Sequence, residues 1–492
     1  MDRFDLLVIG GGINGAAIAR DAAGRGLDVL LVEKDDLAAH TSSASSKLAH
    51  GGLRYLERFE FRLVREALAE REVLLRTAPH LVRPLRFILP QAEGMRPRWM
   101  VRLGLLLYDL LALRGSLPRS RSVRSGDEAV RSPLSGDRRL LSYWDAWVDD
   151  SRLVALNAVD AAERGAEIAT RTEFLSARRQ GDCWLAELSG GRTVAAAAIV
   201  NAAGPWVGEV LATRLREDSG SRARLVKGSH IIVPKLFDGE HGYILQQPDG
   251  RVVFALPFEA ATLVGTTDIP ADSPGDSRIT AGETDYLCAA ANLYFVRQTA
   301  PSDLLWSFAG IRALYDDGAP DAQSVTRDYR LELDGDPGPK LLSVFGGKIT
   351  TARALASEAL DRLEVGGLKF TRTTPLPGGD ILPLFLAWLD EVAAWMPGPL
   401  LGRLSRAYGT RMRDAIGDAR SLNGLGRHFG AGLYEAEVRY LRDKEFARTA
   451  DDILWRRSKL GLHMSAAERQ ELERYLSEAV MPAKAGIPGP AG

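Results

Sequence analysis

The stretch Asp5-Leu6-Leu7-Val8-Ile9-Gly10-Gly11-Gly12-Ile13-Asn14-Gly15 decides the fold of this 492-residue chain. Its first half is mostly aliphatic, the pattern of a parallel strand buried on both faces. Gly10, Gly12 and Gly15 then fall on the G-x-G-x-x-G spacing, and residues 16–25 read as a helix. Each glycine has its own task. The first permits the tight turn, the second lets the backbone approach a pyrophosphate, and the third lets helix and strand pack closely. The phosphates then sit at the helix N-terminus, where unpaired N–H groups and the helix dipole favour negative charge. A second apolar run over 28–32 ends at Glu33, placed to hold an adenosine ribose hydroxyl. Strand, glycines, helix, strand and acid together predict a Rossmann-like dinucleotide-binding domain.

A second stretch narrows the reading. Thr41-Ser42-Ser43-Ala44-Ser45-Ser46-Lys47-Leu48-Ala49-His50-Gly51-Gly52-Leu53-Arg54-Tyr55 concentrates hydroxyls, glycines and cations. Further on stand Asn201-Ala202-Ala203-Gly204-Pro205-Trp206, Lys227-Gly228-Ser229-His230 and Val264-Gly265-Thr266-Thr267-Asp268. Gly310-Ile311-Arg312, Thr326-Arg327-Asp328-Tyr329 and Ser343-Val344-Phe345-Gly346-Gly347-Lys348-Ile349-Thr350 complete the set. In this order the segments resemble the FAD-dependent glycerol-3-phosphate dehydrogenases, flavoproteins of the glycine-oxidase/D-amino-acid-oxidase type. The likeness runs from the first strand to about residue 375 and more loosely to about 465. Three positions depart from the family pattern: Ala203 replaces a usual Thr, Ala313 a usual Pro, and Ala39-His40 a usual small or Cys-containing pair.

The resemblance implies an α/β fold: a Rossmann-like FAD-binding domain, an antiparallel-sheet substrate domain and an all-α C-terminal domain. The expected division is 1–80 for the first FAD-binding segment and 81–148 for an insertion with a candidate membrane-contacting helix. Residues 149–221 form the second FAD-binding segment, 222–310 the substrate domain and 311–374 the return to the FAD-binding domain. A helical domain over 380–479 and a disordered tail over 480–492 complete the chain. The pattern of 57–78 suits one amphipathic helix, and 84–90 reads as a short strand between prolines. Thr374-Pro375-Leu376-Pro377-Gly378-Gly379-Asp380 reads as a linker, and 424–430 as a helix–helix connection.

The net charge of −1 gives no reason to expect nucleic acid. Two cysteines, Cys183 and Cys288, indicate neither a disulfide framework nor a metal cluster, and the histidines show no metal-ligand spacing. No metal is expected. With no signal peptide ahead of the first strand, a cytoplasmic protein is expected. Residues 99–113 are strongly apolar, too short to span a bilayer, and flanked by arginines. Two readings stay open: an interfacial helix on anionic lipid, or a core helix beside a solvated basic loop.

The resemblance assigns the cofactor contacts to Gly10, Gly12, Ile13, Asn14, Gly15 and Glu33, to Thr41, Ser42, Ser45, Ser46, Lys47, His50, Gly51, Gly52 and Leu53, to Ala203, Gly204 and Trp206, and to Gly346, Gly347, Lys348, Ile349 and Thr350. Arginine forks match phosphate oxygens, so Arg54, Arg312, Arg327 and Lys348 are the candidate phosphate cations, with Tyr55 beside them. His230 is the first candidate for the base and His50 the second, because a pKa near working pH favours histidine. Arg312 is placed over the reacting oxygen, and Thr267 and Asp268 beside substrate or flavin. The expected activity is oxidation of sn-glycerol 3-phosphate to dihydroxyacetone phosphate, with electrons passed to membrane quinone at the inner face of the cell membrane. An oxidase that hands electrons to oxygen is the alternative enzyme. A non-catalytic flavin-binding protein is the alternative of another class, and the arginine set argues against it. A homodimer stays open.

Overall fold

The computed structural model describes residues 1–91, 97–112, 115–217, 223–316, 328–335 and 338–480. The opening stretch is a strand, Asp2–Ile9, inside a sheet of eight strands among the described residues. Arg192–Asn201 and Val29–Glu33 flank it in parallel, and Leu341–Phe345 and Glu167–Thr170 continue the parallel array outward. Helix Ile13–Gly24 follows the glycine turn and packs against helices Asp150–Glu163 and Ala352–Arg362. Its buried face is largely alanine, Ala16, Ala19 and Ala22 among them, which lets the neighbours approach closely. Among the described residues, all the strands of this array point their carboxyl ends toward the glycine turn, the usual ligand crevice of such sheets.

The second sheet has ten strands among the described residues. Ala223–Pro234 pairs antiparallel with both Ala261–Gly265 and Trp306–Tyr315. Strand Val82–Pro90 joins Gly242–Gln246 in parallel and Leu140–Val148 antiparallel. Residues 81–148 therefore supply two long strands to the sheet expected for the substrate domain. The division expected at 310 falls inside the strand Trp306–Tyr315. Prolines at 84 and 90 concealed the length of the first of these strands. Helix Ala281–Asn292, started by a capping box between Thr280 and Glu283, packs Leu287, Ala290 and Ala291 onto this sheet.

Within 57–78 the helix is Phe61–Thr77, preceded by a tight turn, Leu53–Arg58. Helix Arg98–Leu111 is two-faced. Leu105 and Tyr108 are buried, whereas Trp99, Leu103, Leu106 and Leu110 are 66%, 57%, 50% and 53% exposed. Arg98, Arg102, Arg119, Arg121 and Arg124 are exposed as well. No described helix is long and apolar enough to cross a membrane.

The stretch 374–380 is not a loose tether. Leu376 is buried, and its N–H donates to the Thr77 carbonyl at 2.8 Å. The chain divides into two compact units, Met1–Asp380 and Ile381–Gly492. The second is helical around a core that includes Met412, Leu433, Leu441 and Ile453. It also holds a two-stranded hairpin, His428–Gly430 with Leu433–Tyr434, where sequence reading expected only a helix connection. The tail expected to be disordered lies, from 481 on, outside the described residues.

Candidate functional site

One continuous cleft begins at the glycine turn. Gly10 has φ +110°, and a Cβ there would lie 2.6 Å from the Ala202 carbonyl oxygen. A Cβ at Gly15 would come within 1.9 Å of the Gly10 carbonyl oxygen, so both positions require glycine. Gly15 itself is packed beneath the turn rather than lining the cleft. Gly12, Ile13 and Asn14 do line it. The Ile13 N–H donates to Ser42 Oγ at 3.0 Å, and Asn14 Nδ2 donates to the Gly346 carbonyl at 3.0 Å. Asn14 Oδ1 is left buried with no hydrogen-bond partner among the described residues.

Glu33 ends the second strand and accepts from Gly11 N at 2.6 Å and Asp35 N at 2.9 Å. Burial raises its pKa above the ordinary carboxylate value against those two bonds. Trp206 lines the same end, with Lys34 Nζ 3.8 Å from its ring centroid and the His40 ring at 4.6 Å. Ala203 and Gly204 line the wall beside it.

The hydroxyl-rich stretch is tied down by the protein itself. Thr41 Oγ1 donates to the Ile311 carbonyl at 2.6 Å, Ser43 Oγ to the His40 carbonyl at 3.1 Å, and Ser45 Oγ to Asp150 Oδ2 at 2.7 Å. Lys47 is turned away from the cleft into a buried ion pair, with Nζ 2.8 and 2.7 Å from the two Asp150 oxygens. Thr41, Ser42, Ser45 and Ser46 line the cleft, as does His50, whose pKa burial lowers. Gly51, Gly52 and Leu53 lie behind this wall.

At the other end stand His230, Arg312, Lys348 and Tyr55. Alternation along the strand Ala223–Pro234 puts Gly228 and His230 on the cleft side and Ser229 on the opposite face. His230 Nε2 is 2.8 Å from Ser46 Oγ, and its ring stacks on Phe308 at 4.9 Å. Its Nδ1 is buried without a partner among the described residues. Burial first, then the charges of Lys47 and Arg312, hold the imidazole well below the usual histidine pKa. Room for these groups comes from glycine. A Cβ at Gly265 would meet the His230 ring at 2.1 Å, and one at Gly228 would meet Arg312 Nη2 at 2.5 Å. Arg312 pairs with Asp268 at 3.4 Å.

Lys348 Nζ lies 4.2 Å from the Tyr55 ring centroid, buried and without a hydrogen-bond partner among the described residues. Gly346, Gly347, Ile349 and Thr350 complete this wall. Thr267, by contrast, faces the back of the sheet, where its hydroxyl donates to Glu283 at 2.9 Å and accepts from Ser229 N at 2.9 Å. Its neighbour Thr266 lines the cleft instead. Neither Thr267 nor Asp268 lines it. Arg327 and the Arg54 side chain lie outside what the structure describes.

Sequence reading missed Asp150, which fastens Ser45 and Lys47. Its only signal was an acidic residue opening a helix. Thr266 was passed over for its neighbour Thr267, which looks the same in sequence.

A dinucleotide fits this cleft. The cradle that a Cβ would fill at Gly10 and Gly15, the N-terminus of helix Ile13–Gly24, and the fixed Glu33 carboxylate suit a pyrophosphate and a ribose. The orphaned Asn14 Oδ1 and Lys348 Nζ call for ligand partners.

Residues 5–353 match the family described as FAD dependent oxidoreductase, and 369–480 match the C-terminal domain of alpha-glycerophosphate oxidase. D-erythritol 1-phosphate dehydrogenase of Brucella abortus is 50% identical, with 96% of this chain and 98% of the relative covered. Glycerol-3-phosphate dehydrogenase of Pseudomonas aeruginosa is also 50% identical, with 96% and 95% covered. Among solved structures, the glycerol-3-phosphate dehydrogenase from Bacillus halodurans complexed with FAD superimposes with a TM-score of 0.72 at 26% identity, covering 97% of this chain and 90% of that one. The glycine cradle, the acid at the second strand end and these likenesses together make this chain a member of the FAD-dependent oxidoreductase family.

Proposed function

We propose that this protein oxidises sn-glycerol 3-phosphate to dihydroxyacetone phosphate and delivers the electrons to membrane quinone. The observation that carries the reading is Lys348. A buried ammonium with no hydrogen-bond partner among the described residues is costly unless an anion arrives, and it stands in the same cleft as His230 and Arg312. Lys348 and Tyr55 would hold the substrate phosphate. Arg312, steadied by Asp268, offers positive charge to the oxygen that loses its proton. When His230 Nε2–H donates to Ser46 Oγ, Nδ1 keeps the lone pair that takes that proton. Burial keeps the imidazole neutral, so this lone pair persists well into the acid range. Bound FAD supplies the hydride acceptor.

Contact with the inner face of the cell membrane is assigned to the exposed face of helix Arg98–Leu111. Its apolar side chains and the nearby exposed arginines suit an anionic bilayer surface. A four-carbon polyol phosphate is the second reading of the substrate, favoured by the 50% identity to the B. abortus dehydrogenase.

The test is anaerobic addition of glycerol 3-phosphate to the flavin-loaded protein. The flavin absorbance should bleach, while glycerol without its phosphate should leave it unchanged. Faster bleaching by erythritol 1-phosphate would move the assignment to the longer substrate. Rapid oxygen uptake without dye or quinone would make the protein an oxidase.

A further inference from the structure

The segment that carries Tyr55 toward Lys348 is strung between two hydrogen bonds from different parts of the fold. On one side the His50 N–H donates to Thr350 Oγ1 at 3.2 Å. On the other the Gly51 N–H donates to the Tyr108 hydroxyl at 2.9 Å, away from solvent. Tyr108 lies on the inner face of helix Arg98–Leu111 and is 2% exposed. Its hydroxyl donates in turn to Asp145, 3.0 and 2.7 Å from the two carboxylate oxygens, and Arg71 binds the same carboxylate at 2.7 Å.

A phenol that accepts one bond and donates another in a dry site has a fixed orientation. The contact has no slack. A Cβ at Gly51 would lie 2.6 Å from the Tyr108 oxygen and 2.7 Å from Leu68. The next residue, Gly52, takes φ +74° and turns the chain into Leu53–Arg58, where Tyr55 N donates back to the Gly52 carbonyl at 2.8 Å. The position of Tyr55 therefore follows from where Gly51 is pinned.

We propose that Tyr108 is a positioning residue: through the Gly51 N–H it sets the turn that places Tyr55 beneath Lys348, and with it the affinity for the substrate phosphate. The proposal rests on the polyol-phosphate reading of the cleft. It also makes the inner face of the 98–111 helix part of the site's support, while the outer face stays free for the bilayer.

The test compares Tyr108→Phe with Tyr143→Phe in the full-length, flavin-loaded protein. Tyr143 is a matched control: it is buried too, its ring lies 5.6 Å from that of Tyr108, and among the described residues it makes no hydrogen bond to Gly51. In Tyr108→Phe, hydrogen–deuterium exchange over residues 51–55 should quicken about tenfold, about the worth of one buried hydrogen bond. Binding of dihydroxyacetone phosphate by equilibrium dialysis should weaken by a similar factor. KM for glycerol 3-phosphate should rise with it while kcat with a soluble dye holds within about twofold. Tyr143→Phe should match wild type in all three. Unchanged exchange in Tyr108→Phe, or equal effects in both variants, overturns the proposal. So does loss of flavin from Tyr108→Phe, which would make Tyr108 a residue of the fold at large. If the wild type neither bleaches with glycerol 3-phosphate nor binds the product, the substrate reading fails, while the exchange measurement still decides whether Tyr108 holds the turn.

Discussion

Replacing Lys348 by Met separates binding from stability. The thioether keeps most of the side-chain length and removes a charge that has no hydrogen-bond partner among the described residues. Leaving a buried polar group unsatisfied costs about 1–3 kcal/mol. The Lys348–Tyr55 contact at 4.2 Å returns part of that, about 0.5–2 kcal/mol for a cation over an aromatic face. The substrate-free variant should therefore be more stable by about 1 kcal/mol. For the Met1–Asp380 unit, an unfolding entropy of about 2.1 cal/mol/K per residue gives about 0.8 kcal/mol/K, so Tm rises by about 1 °C. Phosphate binding moves the other way. Losing one charge-assisted hydrogen bond of about 1.5–3 kcal/mol raises KM for glycerol 3-phosphate roughly ten- to a hundredfold or more. Scanning calorimetry without substrate and steady-state kinetics with a soluble dye read the two effects. A clear fall in Tm would show that the ammonium has a structural partner, and an unchanged KM would place the phosphate elsewhere; either result refutes the reasoning.

Gly12→Asp puts a side chain within 3.1 Å of Ser42 Oγ and a carboxylate against the helix N-terminus, so the purified variant should be colourless, and a full complement of FAD would overturn the cradle. His230→Ala should keep FAD and product affinity yet reduce flavin about 10²–10⁴-fold more slowly in stopped flow; wild-type speed would move the proton to His50 or to water. With the unprotonated imidazole as the proposed active form, and its pKa lowered by burial with Lys47 and Arg312, the acid limb of the wild-type reduction rate should lie well below pH 6.5, the unperturbed histidine value. A limb at or above that pH contradicts the buried site. Leu103→Glu/Leu106→Glu alters two exposed positions, so the protein should fold, stay off anionic liposomes and keep dye-linked activity while losing quinone reduction; co-sedimentation equal to wild type would remove the helix as the anchor.

The nucleotide half was legible because covalent spacing and local sterics dictate it. Gly10, Gly15 and Glu33 act within one strand–turn–helix–strand unit, and their offsets are visible in a linear string. What could not be read was which way side chains point when long-range partners decide. Lys47 sits in a segment that looks made for cofactor contact, but Asp150, about a hundred residues away, takes it into a buried pair. Thr267 and Thr266 are indistinguishable in sequence; Glu283 fixes the first to the back of the sheet and leaves the second facing the cleft. The sheet was also larger than its pattern suggested, since Val82–Pro90 gains its neighbours from Leu140–Val148 and Gly242–Gln246, both far along the chain. Helix Arg98–Leu111 left two readings open because it is two-faced: Leu105 and Tyr108 are buried, and five apolar residues are exposed.

The cations around the cleft show why residue type alone is a poor guide to role. Lys47 meets a carboxylate with both oxygens engaged and is closed to a ligand. Arg312 is held by Asp268 at 3.4 Å, close enough to orient it, while its side chain still borders the cleft. Lys348 alone of these three has no hydrogen-bonding acceptor among the described residues. A buried ammonium without an acceptor is costly unless an anion meets it. In the proposed function, graded pairing of this kind sorts the three into a structural tie, an oriented charge beside the reacting oxygen, and a seat for the incoming anion. The order follows from the partners, and the unmet need of Lys348 is what most favours the proposed phosphate seat there.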